Sequence, residues 1–406
     1  MKFSDYKISQ EIKTQLDFLG YRRPTDIQFK VIKPILDGED IMAISPTGSG
    51  KTAAFVIPTI SVIQKAKKNN NMISCLVMVP TRELAKQIES VYIEIGKDTN
   101  VKVFGLYGGV DQINQINNLN EGIDVLVTTP GRMFDLISQN IINISKIKFL
   151  ILDEADLMLD FGFLKDINDV MNFIPRKRQT LFFSATISKK IKSLAYNVVK
   201  NPIRIQISPK NKIAKTITHS FVKVKMDDKR FFLENIIREY PQKKIIVFVR
   251  TQIRSKRVLQ ALKRVKIDSE CLHGSIEQEE RFLILNRFRI GENKVLITTD
   301  LSARGIDIPD VEYVINYDIP DAPDNYVHRC GRTGRGTRRG HAISFCSEIE
   351  QELFESIVSY IGEDIEEYKV NKDDYFGIID SSEYGGEDWR KLLKKYNQES
   401  GNNLEW

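Results

Sequence analysis

The sequence predicts an α/β protein with two domains in tandem, each a mostly parallel sheet flanked by helices, joined by a short linker. Three observations carry this. Short apolar runs alternate with helical patterns, the alternation pauses once and restarts, and polar motifs follow directly on several of the runs. At 406 residues the chain has room for about two to three domains. In the first half the strand-type runs are "DIMAIS", "CLVMVP", "DVLVTTP", "FLILDE" and "TLFFSAT", with helical segments such as "ELAKQIESVYIEIG" between them. A polar, basic stretch with two prolines, residues 200–218, interrupts the pattern, and 208–218 is taken as the linker. Beyond it come "KIIVFVR", "ECLHG", "KVLITTD", "YVINYD" and "AISFCS". The expected units are therefore 1–207, the linker 208–218, 219–368, and a tail 369–406. The tail begins acidic and Gly/Ser-containing and carries a basic amphipathic piece, "WRKLLKKY", expected to be helical. Trp389, Leu392, Leu393 and Tyr396 there would cap the second domain or meet a protein partner.

Bulk composition excludes several classes. Hydrophobic residues make up 42% and charged residues 28%, an ordinary globular balance. Net charge is only +6, so a polyanion site has to come from local arrangement. No apolar stretch is long enough to span a bilayer, and "MKFSDYKISQEI" has no apolar core of signal-peptide type, so no membrane association is expected. Cys75, Cys271, Cys330 and Cys346 are scattered, without zinc or disulfide spacing, which fits a reducing, cytoplasmic setting.

The motifs sit where ligands meet open α/β sheets, at the carboxyl ends of strands. "ISPTGSGKTAAF" follows one strand and opens a helix. Thr47, Gly48, Ser49 and Gly50 form the loop, in which glycines let backbone N–H groups approach phosphate oxygens. Lys51 supplies charge, and the Thr52 hydroxyl suits magnesium. Ser45 stands where the strict P-loop pattern has glycine. In "FLILDEADLMLD" four apolar residues lead into Asp153 and Glu154. Asp153 is expected to hold magnesium through water, and Glu154 to position or activate the attacking water. Further on, "HRCGRTGRG" places Arg332 and Arg335 three residues apart among glycines, suited either to an arginine-finger role or to a basic nucleic-acid-binding loop.

Together these residues resemble the DEAD-box ATP-dependent RNA helicases of superfamily 2, and "DEAD" at 153–156 is literal. The resemblance runs over about residues 1–368, with the motifs in order: "GYRRPTDIQ", "SPTGSGKT", "PTRELA", "GG" at 108–109, "TPGR", "SAT", "VFVRT", "QEER", "TTDLSARGID" and "HRCGRTGR". It implies RecA-like domains, ATP and Mg2+ as cofactors, and RNA as partner, single-stranded or as a short duplex, bound with little sequence specificity. It also implies roles by position. Gln28 would bond the adenine edge, with Thr25 in the same motif and Phe3 stacking on the base. Asp307 would meet the ribose or the network between the domains. Arg332 and Arg335 would contact the γ-phosphate, with His328 beside them. Ser184 and Thr186 would tie Asp156 to domain closure. Arg82, Gly109, Thr129, Arg132, Thr251 and Thr298 would line the RNA path.

Pro46, Arg250 and Cys330 depart from common family residues without removing a group the chemistry needs. Arg250 would add a phosphate contact. The function this implies is RNA-stimulated ATP hydrolysis driving local, non-processive duplex separation or RNA–protein remodelling, by a monomer. An ATP-dependent RNA clamp within an assembly is the alternative. A DNA helicase is a third reading, which the "DEAD" and glutamine motifs oppose. The short architecture and Lys/Ile/Asn-rich composition fit a small bacterial-type member.

Overall fold

The computed structural model describes residues 2–382 apart from 47, 67–71, 208–212, 215, 304–307, 309–310, 335–338 and 363–364; the side chain of Gln278 is also left out. Of the expected site residues, Thr47, Asp307 and Arg335 lie outside the described residues, as does the tail beyond 382. The chain divides into two compact units, one before residue 208 and one after residue 212.

The first unit is built on strands β1 (Ile41–Ile44), β2 (Cys75–Met78), β3 (Val103–Leu106), β4 (Val125–Thr128), β5 (Phe149–Leu152), β6 (Gln179–Ser184) and β7 (Ile203–Gln206). They pair in the order β3-β4-β2-β5-β6-β1-β7, with every pairing parallel. The run ahead of the two acids is explained by burial on both faces of the sheet. In β5, Phe149 and Ile151 enter one core with Val77, Val127 and Phe183. Leu150 and Leu152 enter the other with Met78, Leu126 and Phe182. A period of two with helices on both faces asks for apolar residues at every position.

The second unit repeats the plan with β8 (Ile217–Lys223), β9 (Ile245–Phe248), β10 (Glu270–Leu272), β11 (Val295–Thr298), β12 (Tyr313–Asn316), β13 (Gly340–Cys346) and β14 (Glu366–Glu367). Their order is β10-β11-β9-β12-β13-β8-β14, again parallel throughout. Helix starts are set locally. Thr81 accepts from the Leu84 N–H at the head of Arg82–Ile95, and Thr251 from the Arg254 N–H at the head of Gln252–Arg264. Phe182, Phe183, Phe231 and Phe232 are core residues. No helix among the described residues is long and apolar enough to cross a membrane.

Two segments differ from the sequence reading. β7 lies within the basic stretch 200–218 and pairs with β1, and β8 begins at Ile217, inside the expected linker. As an edge strand β7 buries only Ile205, so it lacks the apolar run that marks a central strand. Beyond residue 368, Lys372–Asp380 is a helix started by Asn371, whose side chain accepts from the Asp374 N–H. Val370, Tyr375 and Ile378 pack on the second unit's core, and the Tyr375 hydroxyl meets Asp228 Oδ2 at 2.8 Å. Packing of the second unit therefore continues past the expected boundary.

Candidate active site

At the carboxyl end of β1 the chain folds around its own lysine. Lys51, the first residue of the helix Lys51–Ala66, is buried. Its Nζ donates to Ser45 O (2.7 Å) and Pro46 O (3.3 Å). Gly48 and Gly50 have φ of +75° and +92°, which side-chain-bearing residues rarely adopt. Gly50 is also crowded, because a Cβ there would lie 2.5 Å from Gln28 Nε2. Ser45 has no positive φ, and its hydroxyl bonds that of Ser49 at 2.8 Å. Serine therefore meets the backbone geometry of the loop at this position. Thr52 follows on the helix, partly exposed.

Across β6 from this loop, β5 delivers the acids. Asp153 is buried, and its Oδ1 accepts from the Glu154 N–H at 2.9 Å. Burial pushes its carboxyl up to about 6, against the opposing pull of Lys51 and of the Glu154 N–H. Glu154 takes a left-handed backbone, φ +51°, a strained position for a side-chain-bearing residue. Asp156 turns toward the end of β6, where its Oδ2 accepts from Ala185 N (3.1 Å), Thr186 N (2.9 Å) and Thr186 Oγ1 (3.0 Å). Ser184 donates its hydroxyl proton to Thr186 O at 2.8 Å. The three motifs "SPTGSGKT", "DEAD" and "SAT" thus come together at the ends of neighbouring strands.

Gln28 is buried with both ends of its amide engaged. Its Oε1 accepts from the Thr25 N–H (2.9 Å) and its Nε2 donates to Gly50 O (3.1 Å). It ties its own helix start to the phosphate loop and keeps one lone pair and one N–H for other use. Phe3 does not offer a face here. It is 3% exposed and packs edge-on against Tyr21, ring centroids 6.1 Å apart. An unliganded apolar ring lowers its free energy by entering the core.

The candidate RNA residues of this unit share the same edge of the sheet. Arg82 begins the helix after β2 and lies against Gly108, where a Cβ would meet its guanidinium at 3.3 Å. Gly109 has φ +75°. Thr129 caps the helix after β4, and Arg132 donates to Gln115 Oε1 (3.0 Å) and Val110 O (3.4 Å).

In the second unit the arginine motif follows the helix Pro323–Cys330. Arg332 is buried, its Nε donating to His328 O at 3.3 Å. Thr251 caps its helix and is exposed. Thr298 is not placed to contact a ligand through its side chain, because it is buried at the end of β11 and its hydroxyl donates to Thr299 O. Arg250 stays exposed: its Nε pairs with Asp321 at 3.2 Å and an NH2 donates to Ile319 O.

Family comparison decides between phosphate sites of different lineages. The model of the DEAD/DEAH box helicase matches residues 25–194, and that of the helicase conserved C-terminal domain matches 228–337. An ATP-dependent rRNA helicase rrp3 of Sclerotinia sclerotiorum is 35% identical over 98% of this chain and 83% of its own. The chain belongs to the DEAD-box helicase family. An ATP-dependent RNA helicase DbpA of Bacillus subtilis is 34% identical over 91% of this chain and 76% of its own. Among solved structures, S. cerevisiae Dbp5 bound to RNA and ADP BeF3 superposes with a TM-score of 0.82 at 30% identity, covering 97% and 99% of the two chains. The protein is an ATP-dependent RNA helicase with RecA-like domains. Its relatives are fungal as well as bacterial, so the likeness does not select a bacterial type.

Within this DEAD-box helicase, sequence reading passed over the charges that hold the second unit's motifs. Arg329 is fully buried. It grips Asp300 with both arms (Nε–Oδ1 2.6 Å, NH2–Oδ2 2.7 Å) and donates to Asp318 O at 2.7 Å. Asp318 in turn accepts from the Arg250 N–H and pairs with Arg254 at 3.3 Å. Lys229, 0% exposed, pairs with Glu350 at 2.5 Å and donates to Tyr317 O. The available signal was an arginine and an aspartate within the motifs themselves, in "HRCGR" and "TTDLS".

Proposed function

We propose that this helicase separates short RNA duplexes locally and non-processively, spending one ATP-driven closure on the few base pairs it grips. The observation that carries the reading is the Asp156 clasp on Ala185 and Thr186, which joins the acid motif to the neighbouring strand end. A change at the nucleotide is thereby passed to the edge of the sheet that presents Arg82, Gly109, Thr129 and Arg132. In this reading Lys51 and the N–H groups of the loop at Thr47–Gly50 hold phosphate. Gln28 and Thr25 select adenine, with Phe3 joining only after leaving its core position. Glu154 orients the attacking water. Arg332 and Arg335, with His328, neutralise the γ-phosphate, and Asp307 serves the ribose or the network between the domains.

The donors at the acid site fit magnesium. A carboxylate at Asp153 and a hydroxyl at Thr52 are hard oxygen ligands, and Mg2+ commonly takes one or two such groups together with substrate phosphates. Held there with ATP, magnesium would supply charge neutralisation at the phosphate oxygens. Asp153 is then held ionised, reversing the effect of its burial. RNA lies along Arg82, Gly109, Thr129, Arg132 and Thr251, with Thr298 contributing through backbone. Contacts of this kind carry little sequence information, and 2′-hydroxyls separate RNA from DNA. The protein is proposed to work as a cytoplasmic monomer; its four cysteines are free, and burial raises the thiols of Cys75 and Cys330 to about 12.

Duplexes of increasing length, with ATP and a trap for released enzyme, test the proposal. Strand separation should fall steeply with length, since each added step costs roughly 1–2 kcal/mol if stacking resembles that of DNA. Efficient unwinding of a long duplex in one binding event refutes it. ATP-dependent retention of RNA without separation of even short duplexes replaces it with a clamp.

A further inference from the structure

The helix Gln112–Asn120 docks on the first unit in an unusual way. Ile116 and Leu119 pack partly against the core, yet the helix's most buried side chain is a polar amide, Gln115, 5% exposed, while Ile113 is 67% exposed. Burying an amide costs free energy unless its groups are paired, so packing alone would place an apolar residue here. Both ends of the Gln115 amide are paired. Nε2 donates to Tyr107 O at 3.1 Å, and Oε1 accepts from Arg132 NH1 at 3.0 Å. Tyr107 leads into the Gly108–Gly109 turn, and the same arginine reaches Val110 O on the far side of that turn at 3.4 Å. The turn is thus held at both ends, once by Gln115 and once by the arginine that Gln115 orients.

We infer that Gln115 is a positioning residue for RNA: it fixes the Gly108–Gly109 turn and the Arg132 guanidinium as one preformed phosphate-backbone surface. A flexible arginine would have to be ordered on each binding event, whereas one held by a buried amide is ordered beforehand. The inference rests on the reading of Arg132 and Gly109 as RNA contacts, and the experiment separates the two.

RNA-stimulated ATP turnover of the full chain is measured against RNA concentration for the wild type, Gln115→Ala, Gln115→Glu, Arg132→Ala and the Gln115→Ala/Arg132→Ala double variant. Gln115→Ala should raise the KM for RNA roughly fivefold to tenfold, with kcat at saturating RNA and the melting midpoint little changed. Gln115→Glu keeps an acceptor for Arg132 but loses the donor to Tyr107 O. It should restore part of the affinity, and it serves as the probe if the alanine variant folds poorly. The double variant should be no worse than Arg132→Ala, because both changes remove one unit. A raised KM in Arg132→Ala with an unchanged KM in Gln115→Ala overturns the inference and leaves the RNA reading standing. Independent, additive penalties also overturn it. An unchanged KM in Arg132→Ala removes the RNA reading and the inference with it.

Discussion

The first unit shapes its candidate site mainly with backbone, the second with buried charge. Around the phosphate loop and the acids the special features are positive φ at Gly48, Gly50 and Glu154 and a lysine folded onto its own loop carbonyls. Asp153 stays desolvated there, with a raised carboxyl. In the second unit Arg329 with Asp300, and Lys229 with Glu350, bring opposite charges into contact inside the fold. The first unit keeps a desolvated carboxyl near a buried lysine, whereas the second pairs Arg329 and Lys229 with carboxylates inside the fold. Cation binding should therefore relieve the first unit, and single substitutions should damage the second.

The largest expected effect tests whether Arg332 acts in the chemistry rather than in the scaffold. Arg332→Ala should reduce RNA-stimulated ATP turnover by about 10³–10⁵, the usual worth of an arginine finger. Glu154→Gln should match that collapse while preserving ATP-dependent RNA binding. A loss below about tenfold in Arg332→Ala would assign that arginine to structure.

Next comes the buried pair. Glu350→Ala leaves the buried Lys229 ammonium with only its longer carboxylate contact, to Asp318 (3.9 Å), which should cost up to about 3–5 kcal/mol. Denaturant unfolding of the full chain should show one destabilised transition. The Glu350 carboxyl is pushed up by burial but held lower overall by Lys229 and Ser347. Its contribution is present above the ordinary carboxylate value and is lost as pH falls through the depressed folded value.

Asp153→Asn should act in the opposite direction. A carboxyl raised to about 6 binds its proton more tightly in the fold than in the unfolded chain. Its stabilising effect is full below the ordinary value of 3.8 and is lost as pH rises through about 6. At pH 7 the asparagine, which can still accept from the Glu154 N–H, should raise ligand-free stability by about 1–3 kcal/mol. Destabilisation at pH 7 would show that the pull of Lys51 outweighs the desolvation. Magnesium-dependent ATP binding should weaken in the same variant.

The smallest effect concerns Gln28→Ala. Losing the bonds to Thr25 N and Gly50 O should weaken ATP binding roughly tenfold. Equal hydrolysis of GTP and ATP by the wild type would deny the glutamine its selective role.

Legibility followed the kind of interaction. The four-residue run before Asp153 could be read as a two-faced buried strand, because strand period and helix cover dictate apolar residues at each position. β7 was hidden because an edge strand needs only one buried residue, Ile205. The helix Lys372–Asp380 was hidden by Gly377 in its interior, although the Asn371 cap and the acidic first turn were readable start signals. Phe3 was read as a stacking aromatic, whereas its burial against Tyr21 depends on a neighbour 18 positions away.

By itself the sequence determined which residues end the motif-bearing strands and open the helices that follow them. Those choices depend on dihedral preference and on spacing within a few residues. Tertiary structure alone decided which of those ends meet. The order β5-β6-β1 sets "DEAD" beside "SAT" and one strand away from the phosphate loop, an adjacency that chain order does not contain. It gave Asp156 its three donors and Arg132 its glutamine, and it closed Arg329 on Asp300. Such pairs form where long-range packing excludes water and leaves a polar atom only one partner within reach.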